Sequence, residues 1–361
     1  MPKLSFPTLL ALGLFGAFIV VGMILVSSES GFEMPTNTPP KIVDMSDMGD
    51  VKGSSGLPIL ANQMPEFTGI TKWWNTETGE ALTPAMLKGK VVLIDFWTYS
   101  CINCIRTYPF LRTMHERYAD KGLVIVGVHT PEFAFEKNPD NVGREIIKND
   151  LKYPVALDPD FGTWNAYNNR YWPAHYFFDR EGRLRHTHFG EGEHDRSEAV
   201  IRALLEEGGM AVGSEMETVA ETDFSKIQTH ETYFGLERGN EFMSTPGRQG
   251  ESVNLTLAET VRPNEWTAGG TWVFQPEYIE AQSKNATFRF NVQAAKLHLV
   301  LESADGTDKN IGVSVDDVMT KELIINASDL YDIAEFLDGG RHTVEIRLPD
   351  GGVRFYAATF S

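Results

Sequence analysis

Cysteine is scarce in this chain: two residues out of 361, at positions 101 and 104. A disulfide-stapled secreted scaffold needs more of them, widely spaced. Structural zinc needs four ligands, and no second cysteine pair is present to supply them. Positive charge is also short. Lys and Arg number 32 against 50 Asp and Glu, a formal net charge of −18, which argues against nucleic acid or an anionic membrane surface as a partner. No internal repeat is visible.

Long apolar runs are missing too, with one exception. No charge occurs from Ser5 to Ser28, and Leu9 to Val26 is almost wholly apolar. About 20 such residues cross a bilayer core as a helix. Lys3 precedes the run while Glu29 and Glu33 follow it, which leaves the N-terminus inside and the rest outside. The run is long for a cleaved signal, and no A-x-A pattern follows it, although Val26-Ser27-Ser28 is a passable small-residue site. An uncleaved anchor over 1–28 is the favoured reading. Either way the chain leaves the cytoplasm; the anchor reading makes it a single-pass protein of the cytoplasmic (inner) membrane, with its folded domains in the periplasm or outside the cell.

The length suits two domains plus extras. Residues 29–64 read as a flexible linker, rich in Pro, Ser, Gly and Asp. Their methionines (Met34, Met45, Met48 and Met64) are irregularly spaced, with no His or Cys to build a soft-metal site. Residues 65–210 alternate strand and helix. Val91-Val92-Leu93-Ile94 is a continuous apolar run, as in a strand buried on both faces, and a helix from about Ile102 to Asp120 stops at Gly122. A hairpin turns at Arg180-Glu181-Gly182, and a closing helix spans Ser197 to Glu207. This predicts a mixed central sheet covered on both faces. After a second linker at 211–223, short alternating strands over 224–361 predict an all-β jelly roll or sandwich.

Cys101-Ile102-Asn103-Cys104 opens a helix directly after a buried strand. Cysteines at i and i+3 on a first helical turn can close a disulfide. The first sits where free N–H groups and the macrodipole favour a thiolate, the nucleophile of disulfide exchange. Cys101 is therefore expected to attack and Cys104 to resolve. The redox-active pair needs no cofactor and no metal.

The residues around this motif resemble the thioredoxin superfamily. Leu93-Ile94-Asp95-Phe96-Trp97 looks like its approach strand, and Pro109 matches its helix-kinking proline. Asp95 matches the buried aspartate that moves a proton from the resolving cysteine, a general-base role. Trp172-Pro173-Ala174 matches the cis-proline that presents backbone to a substrate peptide. The resemblance implies that Trp97, Ile102, Asn103 and Trp172 border the substrate. Across roughly 65–361 the chain resembles more closely the DipZ group of membrane-bound, TlpA-type oxidoreductases. The motifs are Asp95 through Cys104, Val128-His129-Thr130-Pro131-Glu132-Phe133, Glu231-Thr232-Tyr233-Phe234-Gly235 and Asn264-Glu265-Trp266 through Trp272 to Tyr278. That group's terminal module resembles a carbohydrate-binding module, so a glycan contact stands beside packing as a role for Tyr233, Trp266, Trp272 and Tyr278. The group usually carries a multi-span electron-transfer domain, which this sequence lacks. The resemblance then implies a separate DsbD/CcdA-like membrane electron donor, with protein thiols and disulfides as substrates. Related tethered reductases place a glutamate near the disulfide, which nominates Glu132.

Neither Ile102 nor Asn103 is basic, which points to a reductant rather than an oxidant. Two other readings stand beside this one. A peroxiredoxin-type peroxidase would need a proline seven residues before the cysteine, where Ile94 stands, and Thr98 alone fits its pattern. A non-enzymatic envelope- or glycan-binding protein would use the same fold as a scaffold.

Overall fold

The computed structural model describes residues 56–361, apart from 78, 214, 217, 218, 220 and 221. The expected anchor at 1–28 and most of the first linker lie outside the described residues. Among the described residues no helix is long and apolar enough to cross a membrane.

The first half is a six-stranded sheet. Its strands are β1 (Lys72–Trp74), β2 (Val91–Trp97), β3 (Leu123–His129), β4 (Val155–Leu157), β5 (Ala174–Phe178) and β6 (Leu184–Phe189), in the order β1-β4-β3-β2-β5-β6. β2, β3 and β4 run parallel, while β1, β5 and β6 pair antiparallel. Helices α1 (Ile102–Tyr118), α2 (Pro139–Lys148) and α3 (Gly162–Ala166) connect strands of this sheet, and α4 (His194–Glu207) follows β6. All seven residues of β2 are buried, as its apolar run predicts. Side chains alternate across a strand. Val91, Leu93 and Trp97 therefore join the core under α1 and α4, while Val92, Ile94 and Phe96 join a second core with Trp164, Tyr167 and Tyr176.

Both expected linkers prove partly packed. Leu57 and Met64 are buried, and Leu60 and Ala61 bond to Leu184 across the edge of β6. Arg185, 2% exposed, donates to the carbonyls of Leu57 and Pro58. Val212 and Val219 pack on the core under α1. Apolar side chains inside polar, Pro-rich stretches hold these segments down.

The second half is all β: β7 (Thr232–Tyr233), β8 (Ser252–Leu255), β9 (Trp266–Phe274), β10 (Ile279–Ala281), β11 (Ala286–Gln293), β12 (Lys296–Ser303), β13 (Lys309–Val315), β14 (Val318–Ile325), β15 (Asp329–Glu335), β16 (Arg341–Leu348) and β17 (Val353–Phe360). The sequence predicts a jelly roll or sandwich, and the structure is one continuous eleven-stranded sheet folded over a single core, its two layers joined through β9. The start of β9 pairs with β11 and its end with β8 and β10, so one strand serves both layers. It turns at Gly269-Gly270. Gly270 has φ +93°, and a Cβ on it would lie 2.6 Å from Ser283 Oγ.

Trp266 and Trp272 are buried in this core. Each indole N–H donates to a carbonyl, of Asn240 and Gly269 respectively. Neither has a face free for a sugar ring, and packing is their role. Trp272→Ala should therefore destabilise the second half by about 3–5 kcal/mol, the usual cost of removing a core tryptophan, read by denaturant unfolding.

Candidate active site

β2 ends at Trp97, and Thr98-Tyr99-Ser100 turns the chain into α1 with Cys101 as the N-cap. The Cys104 amide donates to Cys101 Sγ at 3.4 Å, so the first helical turn points an N–H at that sulfur. No acidic residue occupies that turn to offset the helix dipole. Both cysteines are free thiols here; Cys101 is partly exposed and Cys104 fully buried. Burial pushes the Cys104 thiol well above its ordinary range, and neighbouring Cys101 and the charge of Asp95 add to this.

Asp95 lies on β2 beneath this turn and is completely buried. Neither of its oxygens accepts a well-aligned hydrogen bond among the described residues, although His175 Nε2 approaches Oδ1 to 3.3 Å. The Trp172–Pro173 peptide is cis. Ala174, the next residue, pairs with Phe96, so Pro173 and Cys101 belong to the same end of the sheet. The Trp172 indole donates to Thr130 O at 3.0 Å and packs against Trp164, ring centroids 4.3 Å apart. Half-buried Asn103 accepts from Arg106 Nη2 at 2.7 Å.

Three expected placements change. Trp97, expected beside the substrate, is enclosed in the core, edge-on to Tyr108 and His129. It alternates inward with Val91 and Leu93 and so cannot reach the surface. Ile102 is 8% exposed and offers little more. Glu132 is drawn to the second half of the chain, where its Oε1 accepts from Tyr233 Oη at 2.8 Å and pairs with Arg238 at 2.7 Å. The carboxylate next to the cysteine turn is Glu136, which sequence reading passed over. Its Oε1 accepts from Ser100 Oγ at 2.7 Å, and its Oε2 from the amides of Glu132 and Phe133. Burial first, then the charge of Glu132, raises it to about 7. A glutamate three residues after the start of a tight turn is a capping signal, and could have flagged it.

The all-β half packs beside the pair. Tyr99 Oη donates to Ser328 O at 3.1 Å, and Arg106 Nη1 to Phe360 O at 3.0 Å. Phe133 and Phe135 meet Tyr356 with centroids 5.1 and 4.8 Å apart. Among the described residues no group of His, Cys, Asp and Glu could hold a metal.

A partly exposed thiol at a helix N-terminus, a buried partner thiol and a buried aspartate behind it form a thioredoxin-like dithiol arrangement. The sequence comparisons point the same way. Residues 60–205 match the Redoxin family, and 229–361 match the family described as "Thioredoxin like C-terminal domain". Protein DipZ of Mycobacterium tuberculosis is 35% identical over 240 residues, covering 66% of this chain and 34% of its own, so the match spans about a third of that relative. Thiol-disulfide oxidoreductase YkuV of Bacillus subtilis is 32% identical over 148 residues, 41% of this chain and 97% of its own. A solved "Thioredoxin-like Protein in the Oxidized Form" shares 33% identity, covers 41% of this chain and 97% of its own, and has a TM-score of 0.38. The chain belongs to the thioredoxin-like thiol–disulfide oxidoreductases.

Fully buried His129, with Thr98 Oγ1 3.3 Å from its Nε2, is lowered by burial to about 3. Its fold therefore demands the neutral ring, whereas the unfolded chain takes up that proton near pH 6.5. The native state keeps this contribution above about pH 6.5 and loses it progressively on acidification. His129→Gln should thus lose less stability than the parent between about pH 6.5 and 4, by on the order of 3 kcal/mol, read from pH-dependent denaturant unfolding.

Proposed function

We propose that this chain is a membrane-tethered, extracytoplasmic reductase of protein disulfides. The observation that carries the reading is Cys101 at the helix cap, with the Cys104 amide on its sulfur and buried Asp95 behind. Cys101 Sγ attacks a substrate disulfide and forms a mixed disulfide. Cys104 then gives up its proton to Asp95 and attacks Cys101 Sγ, releasing the substrate thiolate and leaving the Cys101–Cys104 disulfide. Pro173 presents its backbone to the substrate chain, beside Trp172 and Asn103.

Two features support the reducing direction. A strong oxidant stabilises its attacking thiolate, usually with a nearby cation. Here the first base after the pair, Arg106, is already paired with Glu191 and bonded to Asn103. The high affinity of Cys104 for its proton makes it a poor leaving group once oxidised, which favours a disulfide that is hard to reduce. Re-reduction would come from a DsbD/CcdA-like membrane donor. The anchor rests on the N-terminal apolar run. Any glycan contact of the second half must use surfaces other than Trp266 and Trp272.

Equilibrating the full chain with glutathione buffers should give a potential near or below about −230 mV, and a value near about −120 mV would reverse the direction. Cys104→Ser should trap mixed disulfides through Cys101, visible on non-reducing gels, while Cys101→Ser traps none.

A further inference from the structure

Asp95 is the end of a row. It pairs with His175 across β2 and β5, and His175 pairs with His188 across β5 and β6. Directly paired residues point to the same side of a sheet. All three side chains therefore lie on the face covered by α1 and α4, from mid-sheet to the edge strand. On the other side of Asp95 the row ends at Gly127, where a Cβ would meet the Trp97 indole nitrogen at 2.9 Å.

The row runs from dry to wet. Asp95 has no exposed side-chain surface, His175 has 2%, His188 10% and Glu193, just before α4, 42%. His175 Nε2 lies 3.3 Å from Asp95 Oδ1, and His188 Nδ1 lies 3.8 Å from Glu193 Oε2. The two imidazole centroids are 5.9 Å apart, a gap that ring reorientation or one water spans. Both nitrogens of His175 and Nε2 of His188 lack hydrogen-bond partners among the described residues. Buried polar atoms without partners are costly in a core, and three in one row call for a reason.

We propose that His175 and His188 form a proton relay that connects Asp95 to solvent beside Glu193. It rests on the thiol-exchange reading and completes its second step. The S–H bond of Cys104 breaks as its sulfur attacks Cys101 Sγ. The Cys101–substrate bond breaks, the substrate leaves as thiolate, and the proton goes to Asp95. His175 Nε2 takes it from Asp95 Oδ1, and His188 passes it outward. Asp95 holds the proton only in passing: its exit along the row draws the deprotonation of Cys104 forward within the resolving step, and the same row can return a proton when Cys104 is reduced again.

The surroundings suit this. Burial and neighbouring His175 hold His188 down at about 4, so at neutral pH its ring is neutral, with one nitrogen to accept and one to donate. His186, His194 and Glu193 are its other titratable neighbours, a backbone bond to Glu191 reaches it, and Arg196 acts on His186. Cys104, Tyr108 and Tyr153 are the titratable groups facing Asp95. His175 and His188 touch no reacting sulfur and act through Asp95, as positioning residues for the proton.

The test mixes reduced full-length protein with excess oxidised glutathione and follows the Cys101–glutathione adduct by acid quench and mass spectrometry. Adduct formation reports attack by Cys101, and its decay reports resolution by Cys104. His188→Gln is expected to slow decay about tenfold at neutral pH, to leave formation unchanged and to recover with added imidazole. His175→Asn should slow decay as well, and if it fails to fold, His188→Gln carries the test. Parental decay in His188→Gln from about pH 5 to 9 overturns the relay. A slowing that imidazole cannot reverse and that accompanies lower thermal stability overturns it too. A parent chain that forms no adduct at all overturns the thiol-exchange reading, and the relay with it.

Discussion

Strand β2 is hydrogen-bonded on both edges, to β3 and β5, and covered on both faces. Almost everything in the redox half depends on that enclosure. It makes β2 rigid up to Trp97, so the three residues that follow deliver Cys101 to the cap of α1. It also places one carboxylate, Asp95, in a core with no water to solvate it. A charged group there is costly unless it has a partner or a task. The sulfur above, reached by its charge, and the imidazole beside it supply both.

The all-β half adds a second constraint. Residues on either side of the pair, Tyr99 and Arg106, bond to its carbonyls, and Glu132 is spent on its Tyr233 and Arg238. The approach to Cys101 is therefore bordered by a second domain. Its buried aromatic core, with Trp266 stacked against Phe242 and Phe288, makes it a stiff wall.

Legibility in the sequence followed the range of the interactions. The apolar run of β2, the Gly122 helix stop, the hairpin around Gly182 and the cysteine spacing are local, and each lies where local rules put it. Alternation along the β half showed which side chains are buried. It could not show that β9 serves both layers, because strand pairing is a long-range choice. Trp97 was misplaced for a related reason: an aromatic beside a reactive motif suits a surface or a core equally well, and only its parity along β2 decides.

By itself the sequence placed the cysteine pair at the start of its helix, since that is set by spacing within a few residues, and a family resemblance pointed to the aspartate and the proline segment. Only the tertiary structure decided which glutamate meets the cysteine turn. Glu132 and Glu136 are four residues apart, and Arg238, more than a hundred residues away, draws the first toward the other domain. Only strand register aligned Asp95, His175 and His188, contributed by three separate strands. Register is fixed by the packing of whole sheet faces, which no short stretch of sequence carries.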